Sequence, residues 1–172
     1  TAAGMTSGST SINVTKPTGT WNTDLIVIMG GLDGNTGAPT STGFTSAYDI
    51  DAGDNGHEQF LLYKIADDSE PSAYTVNWTG TEKGNFHVAT FRGIDNTTPG
   101  GTNYASTNTV PSGTDIPHSA LTVTVGNLVI GIGTVNREAD TDPVSKSAGG
   151  FTLINATNTD SSGTAHLLTQ YK

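Results

Sequence analysis

The sequence predicts an all-β protein: a two-sheet antiparallel β-sandwich, jelly-roll-like, with an internal pseudo-repeat. Three observations carry that expectation. Glycine supplies 22 of the 172 residues and charged residues only 13%, which suits many turns and threonine-lined solvent faces. Short apolar runs recur along the chain with Gly, Asn, Asp and Pro between them. No stretch repeats its apolar residues near 3.6, and the one helical candidate, 63–73, is interrupted by Pro71.

Residues 1–10 are small and polar and read as a flexible lead-in, and 11–172 as a single sandwich domain. The first strand is expected at 11–15, where Ile12 and Val14 alternate with polar residues. The run LIVIM places the second at 24–32, and 44–50 and 58–66 follow as apolar stretches bounded by turn residues. At 73–79 the alternation puts Tyr74, Val76 and Trp78 on one side, which favours core burial for Trp78. At 85–94 it places His87 opposite Phe86 and Val88, on the less buried side. A polar stretch occupies 95–118. Strands resume at 120–125, 127–135, 151–157 and 165–172. The motif GIGTVN at 131–136 lacks the third glycine of a dinucleotide fingerprint and no helix follows, so its small residues mark close sheet packing.

The chain repeats itself. NTDLIVIMGG (22–31) is echoed by VGNLVIGIG (125–133), the Phe44 region by the Phe151 region, and FLLYK (60–64) by LTQYK (168–172). The offset drifts from 103 at Leu25/Leu128 to 107 at Phe44/Phe151 and 108 at Tyr63/Tyr171. The halves are about 11–98 and 119–172. In the first half two strands follow the LLYK strand; in the second none follows TQYK. Either the chain belongs to a longer protein, or the second half is shorter, or a neighbouring subunit adds a strand. His166, Leu168, Gln170 and Lys172 are therefore the candidate assembly edge, since free N–H and C=O groups invite pairing.

Acidic residues outnumber basic ones 16 to 7, a formal charge of −9. A field of that sign repels phosphate backbones and anionic lipid, which argues against nucleic acid or a membrane surface as partner. With no cysteine, disulfides and thiolate metal sites are excluded. Histidines 57, 87, 118 and 166 show no metal-binding spacing, and no nucleophile elbow is present. Glu58, Glu70, Glu82 and Glu138 show no arrangement that singles out a glycosidase pair. The densest oxygen cluster, DIDAGDNGHE, brings Asp49, Asp51, Asp54, Asn55 and Glu58 within ten residues. Such a stretch could wrap Ca²⁺, or it could be a polar hairpin loop, the favoured reading. Asp140 and Asp142 form a weaker counterpart. Trp21 is expected to plug the end of the sandwich after KPTGT.

Taken together, INVTKPTGTWNTDLIVIMGGLDG, GFT, FLLYKIADDSEPSAYTVNWTG and ATFRGIDNTTP resemble a β-sandwich domain met in bacteriophage virion proteins and some bacterial surface proteins. The resemblance is close over 11–98 and looser beyond. Here Asp24 stands in TDL where GDL is usual, and Phe44 where Trp is common. The resemblance implies a jelly-roll-type module without catalytic residues, used in capsid decoration, tail appendages or surface display. The expected function is a non-enzymatic structural protein at a virion surface or outside the cell, without a cofactor unless the acidic stretch holds Ca²⁺. Its partners would be copies of itself or a capsid or other virion protein. The alternative is a carbohydrate-binding or adhesion module that uses loop aromatics.

Overall fold

The computed structural model of the chain describes residues 1–34, 37–51, 57–97, 99, 126–137, 150–157 and 164–172. Every regular element among them is a strand: β1 (Ala2–Thr15), β2 (Leu25–Leu32), β3 (Thr40–Ser41), β4 (Thr45–Asp51), β5 (Glu58–Ile65), β6 (Ala73–Phe91), β7 (Ile130–Arg137), β8 (Thr152–Thr157) and β9 (Thr164–Tyr171). The larger sheet runs β1-β6-β2-β5-β4, with β3 also on β6, and the smaller runs β7-β9-β8. All pairings are antiparallel. The protein is an all-β two-sheet sandwich.

The sandwich is organised around β2, in which every residue is buried. Alternate side chains of a strand point to opposite faces, so both faces of β2 are covered. Leu25, Val27 and Met29 face the smaller sheet and pack with Ile130, Ile132 and Ile154. Ile26, Ile28 and Leu32 face the other way, onto Phe60, Leu62, Phe86 and Val88.

That second face is closed by the larger sheet itself. Trp78 and Phe86 lie eight positions apart on β6, yet their rings stack with centroids 5.5 Å apart. In a straight strand they would stand about 26 Å apart. The β1–β6 ribbon therefore bends back on itself. The pairing records the bend: from Met5↔Gly84 to Ser9↔Glu82, β1 advances further than β6, and from there to Ser11↔Asn77, β6 advances further than β1. Such irregularities add local twist and bending, and Gly80 in this stretch has a φ of 97°. As a result Thr1, at one end of β1, donates through its hydroxyl to the carbonyl of Thr15 at the other. Val14, Val76 and Trp78 of one arm are thereby laid over Phe86 and Val88 of the other in one core.

Several expectations change on this architecture. Residues 2–10 are the first arm of β1, paired to β6, not a flexible lead-in. Ala3 and Met5 of this arm pack against the core. The strands expected at 73–79 and 85–94 are one strand, β6. His87 is fully buried, because the face opposite Phe86 and Val88 is covered by the smaller sheet. Trp78 is in the core with Tyr74 and Val76, as the alternation predicts. The strand expected at 120–125 lies outside the described residues.

The pseudo-repeat is present down to single residues. β2, β4 and β5 correspond to β7, β8 and β9, and the orders β2-β5-β4 and β7-β9-β8 are the same. Val27↔Tyr63 in the first unit matches Ile130↔Tyr171 in the second, at offsets 103 and 108. Thr45↔Tyr63 matches Thr152↔Tyr171. The register shift between Ser46 and Tyr48 recurs between Leu153 and Asn155, at an unchanged offset of 107. Gly43 and Gly150, also 107 apart, adopt φ of 81° and 79°.

The same correspondence corrects the expected assembly edge. β9 lies between β7 and β8 and is paired along both sides. Leu168 pairs with Gly133 and Ala156, His166 and Gln170 occupy paired positions, and Lys172 exchanges backbone hydrogen bonds with Val129. A strand like β6 borders β2, not β5. By the same correspondence, a counterpart of β6 in the second unit would border β7, not β9.

Candidate functional site

The acidic hairpin joins β4 to β5. Asp51 pairs with Glu58 and Asp49 with Phe60. Glu58 is only 1% exposed, and the Asp49 carboxyl is hydrogen-bonded to it. A bond between two carboxyl groups needs a proton. Withdrawal from water, that bond, and the charges of Glu58 and Asp51 push Asp49 up to about 7. Asp54 and Asn55 lie outside the described residues, as do Asp140 and Asp142. Among the described residues no group of three or more His, Asp or Glu side chains is placed to hold a metal ion.

His87 sits where the layers meet. Its Nδ1 is 2.8 Å from the Thr169 hydroxyl, and its Nε2 is bonded to the Thr157 hydroxyl. One residue of β6 thus holds both β8 and β9. Burial, with a contribution from the nearby N-terminal ammonium, lowers its pKa to about 4, so the ring is neutral at physiological pH.

A different kind of site is built between β1 and β2. Pro17, Thr18, Gly19 and Thr20 form a tight turn: the Thr20 amide and hydroxyl both donate to the Pro17 carbonyl, at 3.4 and 2.7 Å. Gly19 supplies the positive φ of 81° that this turn requires. A second turn follows at once. The Asp24 amide donates to the Trp21 carbonyl (3.1 Å), and the Trp21 amide donates to Asp24 Oδ2 (2.8 Å). Thr23 is forced to a φ of 70°, uncommon for a β-branched residue. Its amide donates to the Ala66 carbonyl, and its own carbonyl accepts from Asn96 Nδ2 at 3.2 Å.

Two turns in succession throw Trp21 outward, and it is 67% exposed. It does not plug the sandwich end, as the sequence suggested, because the Asp24 carboxylate occupies the interior there. That side chain is 3% exposed and accepts from Arg92 Nε and Nη2, both at 2.9 Å. Arg92 Nη2 also donates to the Gly19 carbonyl at 3.1 Å. These bonds to Arg92 hold the Asp24 carboxyl below the usual range against the opposing effect of burial. The guanidinium so fixed lies 4.9 Å from the Trp21 ring centroid, within cation–π range. Thr20 is tied to Thr90 of β6, hydroxyl to hydroxyl, at 3.0 Å.

The result is an indole turned to solvent, 67% exposed, with the guanidinium of Arg92 lying against its ring. From the sequence, Trp21 is one of several aromatics able to stack on a sugar, but a plug for the sandwich end is the preferred reading. The available signal was a tryptophan between two turn-forming stretches, PTG and NTD. The fold and this corner define the class: an antiparallel sandwich module with a fixed, exposed aromatic. No protein-family model matches the chain, and neither the curated proteins nor the solved structures contain a match.

Proposed function

We propose that the chain is a non-enzymatic structural module, a decoration or surface component of a virion, that associates with copies of itself or with a capsid or other virion protein. The observation that supports this reading is how its buried polar groups are used. His87 joins the two sheets, and Asp24 fixes the end of β6 to the start of β2 through Arg92. Glu70 binds Lys64 at 2.6 Å and accepts from the Tyr74 hydroxyl at 2.9 Å, joining β5 to β6. Each group braces the scaffold, as a module that works by shape requires. The likeness of residues 11–98 to virion sandwich domains supplies the setting.

The test is electron cryo-microscopy of the particles from which the protein is isolated, with sedimentation of the pure protein over a wide concentration range. Copies at regularly repeated surface positions are expected. A chain that is absent from such positions and monomeric throughout defeats the reading.

A further inference from the structure

We infer that the Trp21 corner is a carbohydrate-binding subsite that takes a neutral pyranose by stacking. Among the described residues only Trp21 and Leu153 are large, apolar and exposed, and Leu153 lies on β8 of the smaller sheet. Leaving an indole in water forgoes the stabilisation that burying so large an apolar side chain would give. The corner nevertheless holds it there. Gly19 and Thr23 adopt positive φ, the Trp21 amide is bonded to Asp24, and Arg92 lies against the ring.

The surroundings decide between occupants. A stable protein interface buries about 800 Å² per partner around a core of several apolar side chains. Among the described residues Trp21 is the one large exposed apolar side chain of this corner, too small an apolar patch for such a core. A pyranose matches a single exposed ring: one face of C–H groups lies on the indole, while the hydroxyls around its edge stay hydrated. The formal charge of −9 disfavours acidic sugars. The sugar-binding alternative raised by the sequence thus gains a specific surface, independent of whether the chain decorates a lattice.

The experiment titrates the whole protein with neutral oligosaccharides (malto-, cello-, xylo-, manno- and chito-hexaose) while following tryptophan fluorescence and binding heat. Trp78 is buried, so a change in emission reports Trp21. At least one sugar is expected to bind, with Trp21→Ala weakening it by about tenfold or more and Trp21→Phe by less. Arg92→Lys keeps the charge but loses the fixed plane, and is expected to weaken binding while Trp21 stays exposed. Leu153→Ala is expected to bind as the parent does. Two outcomes overturn the proposal: no neutral sugar bound by the parent, or binding that Trp21→Ala leaves unchanged. Self-association lost in Trp21→Ala without any sugar binding would assign the corner to a protein partner and overturn it equally.

Discussion

His87 and Asp49 change charge over the same pH range with opposite effects on stability. His87 has a folded pKa of about 4, below the ~6.5 of an unfolded histidine. Between those values the unfolded chain holds more protons, so this contribution to stability is full above ~6.5 and is lost as pH falls towards 4. Asp49 has a folded pKa of about 7, above the ~3.9 of an unfolded aspartate. There the folded chain holds more protons, so its contribution is full below ~3.9 and is lost as pH rises to 7. The two slopes oppose, and the melting temperature of the parent is expected to vary little between about pH 4 and 6.5. Asp49→Asn removes one slope, and its melting temperature should climb with pH across that window. A variant profile parallel to the parent's would refute the assignment. A second residue-scale prediction concerns Gly30, which pairs across the sheet with Phe60. A methyl group on Gly30 would lie far inside van der Waals contact of two carbons of the Phe60 ring. Gly30→Ala should cost about 1–3 kcal/mol in denaturant unfolding, and Phe60→Leu in the same chain should recover part of that loss.

The folded-back β6 is the element on which the larger core depends. Trp78 is one contact between its arms, stacking on Phe86 and donating from Nε1 to the Ser9 carbonyl at 3.0 Å. Trp78→Ala removes both and should destabilise by about 3–5 kcal/mol, with loss of the near-ultraviolet dichroism of the stacked pair. An unchanged unfolding midpoint would show that the bend is held elsewhere. This bend also marks the limit of what the sequence discloses. Alternation in AYTVNWT correctly assigns the Tyr74–Val76–Trp78 face, because alternation is local. TGTEKG between the arms carries the residues of an ordinary turn, so one bent strand reads as two. His87 fails for a related reason: period-2 alternation says which residues share a face, not what covers that face. The repeat was legible because corresponding residues keep their spacing. Which strands flank β9 was not, because pairing across a sheet is a long-range property. Trp21 was misplaced because a single aromatic near turns has no periodicity to read.

At the scale of the whole molecule, two layers share β2 and the tie made by His87. Thr169→Val leaves His87 Nδ1 without its buried partner and should cost about 1–3 kcal/mol, measured by chemical unfolding; a neutral result would show that the hydroxyl contributes nothing to joining the sheets. A chain ending at residue 97 would expose Leu25, Val27 and Met29, which pack against the smaller sheet. Such a fragment should bind the apolar dye ANS and aggregate, while the full chain does neither. A fragment that stays monomeric and dye-free would mean that the larger sheet stands alone. The matched register and matched bulge of β2-β5-β4 and β7-β9-β8 have an evolutionary reading. They point to duplication of one ancestral three-strand gene segment. The product of that segment would have been greasy on one side and could have hidden it only against a twin. Joined in one polypeptide, the two halves meet at an effective concentration that separate copies in solution would not reach.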